Sequence, residues 1–216
     1  MLIPSVRKIH NHNSHKVIGL SYSYKMNGLI SWESTLERDW LLHLEAMPAV
    51  LEIYSQPQTI DFSHDGKWHR YTPDFEVRWR DHDRLPTLYE VKPHSVAADL
   101  DFIATSKSIG LTLAQQGYEF VVVDSKAIRN GHLLQNLNFL KHYATAFVTQ
   151  RDRERLAIYL HHHPICSLFR LAVRAGSKTL GMPELYHLLW EGWLEYDTRE
   201  KVSSLLSVHL SEGAKI

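Results

Sequence analysis

The stretch from Tyr71 to Pro93 constrains this chain more than any other. It opens Tyr71-Thr72-Pro73-Asp74-Phe75-Glu76-Val77 and closes Leu88-Tyr89-Glu90-Val91-Lys92-Pro93, with a polar segment rich in Asp, Arg and His between. Each end reads as a short strand with charges set among apolar residues. Pro73 biases Thr72 towards an extended conformation. In Glu90-Val91-Lys92 the strand period of two puts both charges on one face and Val91 on the other. Pairing of the two strands would bring Asp74, Glu90 and Lys92 to one edge. Two carboxylates and an ammonium at one spot suit a hard divalent cation and a nucleophilic water. The same residues also read as two strands with solvated charges on the outer face of a sheet.

The flanks narrow the choice. The chain has 216 residues, 44% of them hydrophobic and 22% charged, which is ordinary globular composition. Formal net charge is zero, so bulk charge argues for no partner. No apolar run is long enough to span a bilayer, and the N-terminus lacks the apolar block of a secretion signal. The single cysteine, Cys166, excludes an internal disulfide and fits a reducing cytosol, so a cytoplasmic protein is expected. Residues 1–32 carry Arg7, Lys8, Lys16 and Lys25 with no acid before Glu33, and His10, His12 and His15 lie among them. Residues 1–16 read as a basic arm, either phosphate-neutralising or simply solvated.

Further along, Met26-Asn27-Gly28 between β-rich runs predicts a hairpin over residues 17–30. Ser34 followed by Glu37 reads as a capping box. Leu36, Trp40, Leu44 and Met47 repeat at helical spacing, which predicts a helix over 35–46 ended by Pro48. Glu37 thus has two readings, a helix-capping carboxylate or a metal ligand reaching towards Asp74. Strands are predicted over 50–54, from Trp68 through Phe75, and over 87–92, with an extended run over 56–62. A helix over 99–116 carries Lys107 and is closed by Gly117. Phe120-Val121-Val122-Val123 reads as a strand buried on both faces, parallel to 87–92. Residues 17–127 should therefore form a mixed α/β sheet flanked by helices.

Residues 128–216 change to helical patterning. Helices are predicted over 133–143, 151–161 and 164–175, and another starts at Met182-Pro183. His161-His162-His163 before Pro164 reads as a helix end rather than a metal site, because adjacent side chains on a helix diverge. Short strands are predicted over 193–196 and 204–208. Helices followed by a two-stranded wing describe a small winged-helix-like domain, suited to DNA contact through Arg151, Arg153, Arg155, Arg170, Arg174 and Lys178 or to protein docking through its acids.

Pro73-Asp74 followed by Glu90-x-Lys92 resembles the PD-(D/E)xK nuclease signature. Ser34-x-x-Glu37, Val50, Gln56-Pro57, Thr72-Pro73-Asp74-Phe75 and Glu90-Val91-Lys92-Pro93 occur in that order at close spacing. Together they resemble the TnsA-type endonucleases of cut-and-paste transposons, including those of CRISPR-associated transposons. The resemblance covers roughly residues 19–124, and more loosely the helical C-terminal part. It implies a restriction-endonuclease-like fold. It aligns Glu37, Asp74 and Lys92 with the family's glutamate, aspartate and lysine, puts Glu90 at the second acidic position, and matches Gln56 to a recurring glutamine of unassigned role.

The implied activity is Mg2+-dependent cleavage of the 5′ ends of a bacterial transposon, with Mn2+ able to substitute. Glu37, Asp74, Glu90 and the carbonyl of Val91 would hold the metal, and Lys92 would orient water or stabilise phosphate charge. The implied partners are transposon-end DNA, a TnsB-type DDE transposase and a TnsC-type AAA+ ATPase. The alternatives are a stand-alone restriction- or repair-type nuclease and a non-catalytic DNA-binding adaptor on a nuclease-like fold. Which residues bind DNA is left open.

Overall fold

The structure is a computed structural model and describes residues 1–5, 17–175 and 180–214. Arg7, Lys8, Lys16 and the histidines of the basic arm, and Gly176 and Lys178, lie outside the described residues. The chain forms two compact units, Met1–Glu45 with Ala49–Ile128, and Ala46–Pro48 with Arg129–Ile216. No helix among the described residues is long and apolar enough to cross a membrane.

The first unit opens with an antiparallel hairpin of β1 (Gly19–Ser23) and β2 (Gly28–Trp32). The predicted hairpin is present, but Gly28 lies in the strand and the turn spans residues 24–27. Asn27 takes the left-handed conformation there, at φ 47°. Of the predicted arm only residues 1–5 are described, and two of them pair with β2. The Ile3 N–H donates to the Leu29 carbonyl at 2.9 Å, and the Leu29 N–H donates to the Met1 carbonyl at 2.8 Å. Helix α1, Thr35–Ala46, follows with the predicted bounds. Ser34 Oγ accepts the Glu37 N–H at 3.1 Å, satisfying one orphan donor of the first turn. Leu36, Trp40, Leu41 and Leu44 are buried.

The main sheet has the order β3-β6-β7-β8: β3 Val50–Ser55, β6 Phe75–Trp79, β7 Thr87–Lys92 and β8 Glu119–Asp124. β3 and β7 each run antiparallel to β6, whereas β7 and β8 are parallel, as the apolar run 120–123 predicted. The crossover between them holds α2 (His94–Ala97), a turn not anticipated from the sequence, and α3 (Leu100–Gln115). Asp99 caps α3 by accepting the Phe102 N–H at 3.0 Å, and Gly117 leaves it at φ 82°.

Two extended runs expected to be continuous are broken. Residues 56–62 do not continue β3, because Gln56 turns to φ 45° and β4 begins only at Ile60. Trp68–Phe75 is likewise two strands. β5 (Lys67–Tyr71) pairs with β4 (Ile60–His64) in a separate hairpin, and β6 begins after Pro73, which has no N–H for a ladder. The β4–β5 hairpin buries Ile60 and Phe62 with Leu88, Ile109 and Leu113. Each fully buried Leu or Phe contributes about 1.5–3 kcal/mol of hydrophobic stabilisation.

After the short α4 (Ser125–Ile128), the second unit holds α5 (Leu133–Leu140) with a 3-10 turn at Lys141–Tyr143, α6 (Gln150–His162), α7 (Leu168–Ala175) and α8 (Met182–Trp190). α6 ends at the histidine run. The helix predicted over 164–175 is shorter than expected. Cys166–Ser167 is a strand, β9, paired antiparallel with β11 (Ser207–Leu210), which also pairs with β10 (Leu194–Glu195). Backbone pairing with a distant strand overrides local helical patterning there. The predicted strands 193–196 and 204–208 are present in part, the second shifted towards the C-terminus. Buried Asn136 ties the long loop down, donating from Nδ2 to the Glu200 carbonyl at 2.8 Å and accepting the Val202 N–H at 2.9 Å.

Candidate active site

The strand directions bring the end of β3, the start of β6 and the ends of β7 and β8 to one end of the main sheet. Asp74 sits there at the entry to β6, fixed at three points. Its N–H donates to the Tyr89 carbonyl at 3.0 Å, its carbonyl accepts the Gln56 N–H at 2.9 Å, and its Oδ2 accepts the Val91 N–H at 2.7 Å. The side chain therefore points across β7 into the Glu90-Val91-Lys92 segment. Glu90 is buried in β7, and Lys92 forms an ion pair with its Oε1. The period-two expectation that these two share a face is met.

Tyr71 completes the arrangement. Its hydroxyl donates to Glu90 Oε2 at 2.5 Å. Burial first, then the Glu90 charge and this hydrogen bond, push the Tyr71 phenol well above its ordinary range. Tyr71 stands in the segment singled out in the sequence, but nothing in its spacing marks it as a partner of Glu90. The link needs the break at Pro73, which turns the hairpin against β7.

The charges feel one another strongly. Asp74 is pushed up to about 8, first by burial and then by the carboxylates of Glu90 and Glu37, with Lys92 and the Val91 N–H opposing. Burial also raises Glu37, against the Glu33 N–H and the Ser34 hydroxyl that stabilise its charge. Burial works against the Lys92 ammonium, yet Glu90, Asp74 and Glu37 together outweigh it and hold its pKa above the ordinary lysine value. Glu37 is therefore electrostatically part of the cluster while also closing the helix cap, its Oε2 accepting the Glu33 N–H at 2.7 Å. The capping and cluster readings of Glu37 are compatible.

All the oxygens on offer are hard donors, from three carboxylates and the backbone of Val91, and the excess negative charge is offset only in part by Lys92. That chemistry fits Mg2+ or Mn2+. The side chains are nonetheless not drawn into a cage. Among the described residues no three His, Cys, Asp or Glu side chains are close enough to hold a metal ion. Asp74 Oδ2, Glu90 Oε1, Glu90 Oε2 and Glu37 Oε2 are engaged by Val91, Lys92, Tyr71 and Glu33. Each engaged oxygen keeps a second lone pair, so coordination needs the side chains to draw together rather than to give up these partners.

Gln56 lies beside Asp74 in a costly state. It is buried, its backbone is left-handed at φ 45°, and its Oε1 has no hydrogen-bond partner. Such departures are tolerated only where the surroundings impose them.

Residues 47–125 match the family described as TnsA-like endonuclease N terminal. That segment contains Gln56, Asp74, Glu90 and Lys92 and the whole main sheet, while Glu37 precedes it. No curated protein gives a significant match. The mixed sheet flanked by helices is consistent with a restriction-endonuclease-like fold, and residues 47–125 are similar to the N-terminal domain of TnsA-like endonucleases.

Proposed function

We propose that this protein hydrolyses phosphodiester bonds at the 5′ ends of a transposon, with Glu37, Asp74, Glu90 and Lys92 as its catalytic residues. The observation that carries the reading is the meeting of Asp74, Glu90 and Lys92 where β6 begins and β7 ends, inside a domain of endonuclease type. Glu37, Asp74, Glu90 and the carbonyl of Val91 would hold Mg2+. When bound, the metal would polarise the scissile phosphate and lower the pKa of a water. Lys92 contributes a fixed ammonium at the rim of the cluster, placed to orient a nucleophilic water or to offset charge developing on the phosphate. Tyr71 holds Glu90 in one orientation, and the Val91 N–H does the same for Asp74.

The family supports DNA as the substrate and transposition as the setting. A TnsB-type DDE transposase acting on the 3′ ends and a TnsC-type AAA+ ATPase complete the proposed assembly, and a guide-RNA-directed element is one setting for it. The second unit is read as a winged helix that docks a partner or DNA, because α6, β9, α7, α8, β10 and β11 follow the order of that module and its three strands pair as β10-β11-β9.

The test is cleavage of labelled transposon-end DNA in Mg2+ or Mn2+, with and without the transposase. Wild type should cut the 5′-ended strand, whereas Asp74→Ala and Lys92→Ala should leave it intact with 3′ processing retained. Normal 5′ cutting by both variants removes the site from consideration. Metal-dependent cutting of DNA lacking a transposon end, without transposase, would favour the stand-alone nuclease.

A further inference from the structure

Beside the carboxylate cluster lies a second group of charged side chains that the proposed chemistry does not use. Lys92 and Asp124 are register partners on the parallel strands β7 and β8. Paired residues on adjacent strands point to the same face, about 4.8 Å apart along the sheet. Asp124 is therefore the next side chain to Lys92 across the end of the sheet. Its Oδ2 accepts from His94 Nδ1 at 2.6 Å, and its Oδ1 accepts the Ala127 N–H at 2.9 Å. His94 follows Lys92 by two residues, and its own N–H donates to Ser125 Oγ at 3.0 Å. Lys126 Nζ donates to His94 Nε2 at 2.8 Å.

The hydrogen bonds define the roles. An ammonium can only donate, so His94 Nε2 accepts and the ring proton is on Nδ1, facing Asp124. Both oxygens of Asp124 are spent inward on His94 and Ala127. One of the three donors of Lys126 is spent on His94, and the side chain is otherwise exposed. An exposed lysine ordinarily samples many rotamers. Here a chain of two hydrogen bonds running back to the sheet holds it in one place.

We infer that Lys126 is a preset phosphate contact for the DNA strand beside the scissile bond, with His94 and Asp124 as its positioning residues. Contacts to phosphate fix the register of a nucleic acid without reading its sequence. A fixed cation one strand removed from the site would seat the neighbouring phosphodiester and so present the reacting one to Asp74, Glu90 and Lys92. The inference rests on the nuclease reading for its choice of ligand, and its test reads binding rather than cutting.

The experiment measures the affinity of full-length protein carrying Asp74→Asn for a fluorescein-labelled DNA duplex by anisotropy over a series of salt concentrations in Mg2+. Each phosphate contact contributes about 0.9 to the slope of log affinity against log salt. Adding Lys126→Ala should make the slope shallower by about that amount and weaken binding alike on all sequences. Lys126→Arg should keep the slope. His94→Ala and Asp124→Asn should each give an intermediate slope, because the lysine remains but is no longer held. A purely structural tether between α2, α4 and the sheet would lower the melting temperature and leave the slope unchanged. An unchanged slope in Lys126→Ala, or no binding by the parent, overturns the inference. If the slope falls but the wild-type protein cuts no DNA, the contact stands and the nuclease reading fails. If the wild type cuts and the slope does not move, the contact alone fails.

Discussion

The carboxylate of Asp74 accepts the backbone N–H of Val91 at 2.7 Å, so the residue just before β6 is pinned between the two charged residues of β7. This bond does not depend on a cation. It holds one carboxylate against two others whose charge Lys92 offsets only in part, and the cost of that arrangement is measurable.

Asp74→Asn should stabilise the protein. Asp74 is held at about 8 against an ordinary value of 3.8. Between these values the folded protein keeps a proton that the unfolded chain has released. Stability therefore falls as pH rises through that window and levels off above it. In chelator, the melting temperature of Asp74→Asn should exceed that of wild type at pH 8 by about 2–4 °C for each kcal/mol of relief. The two should draw together near pH 4. Equal melting temperatures at pH 8 would mean that the cluster is not strained by its charge.

Lys92→Met should do the reverse. The ammonium is the cation that opposes the charges of Glu90, Asp74 and Glu37. Removing one partner of a half-buried ion pair should cost about 1–3 kcal/mol in urea titrations at neutral pH. Combining it with Asp74→Asn should restore part of that loss, and strict additivity would argue against their coupling.

Tyr71→Phe deletes the donor to Glu90 Oε2 and leaves the ring packing in place. It should cost about 1–2 kcal/mol in chelator, because a buried carboxylate oxygen is left without its hydrogen bond. Mg2+ should stabilise this variant more than wild type, since Glu90 is then freer to turn towards the other carboxylates. Thermal melts with and without Mg2+ decide this, and equal gains would separate Tyr71 from the metal ligands.

Gln56→Gly should be more stable than Gln56→Ala by about 1 kcal/mol, the reverse of the order for an ordinary extended residue. Both lose the same buried amide, but only glycine adopts φ 45° without penalty. Denaturant midpoints of the pair test it directly.

Much of this molecule is legible in its sequence, for reasons that vary by element. α1 is readable because Ser34, Glu37 and the Leu36-Trp40-Leu44 repeat are all local signals. β7 and β8 are readable because Glu90-Val91-Lys92 alternates and 120–123 is uniformly apolar. The separation of β5 from β6 is not, since a β-rich run across Pro73 looks like one strand until the tertiary pairing of Ile60 with Tyr71 is known. Cys166–Ser167 misleads for the same reason, as its strand character comes from Val208 and Ser207, far along the chain. In the site, the spacing of Glu90 and Lys92 carries their shared face. Tyr71 and the Asp124–His94–Lys126 chain depend on which strands lie side by side, which spacing does not encode.

The parallel pairing of β7 with β8 also bears on how the molecule is made. Lys92 and Asp124 meet only after the whole α2–α3 crossover has closed, and such non-local contacts are the slow ones to form. Hairpins such as β1–β2 and β4–β5 and the turns of α1 can assemble from neighbours in the chain. The Lys92–Asp124 side of the charged end should thus form late, whereas Asp74 and Glu90 lie on the antiparallel neighbours β6 and β7.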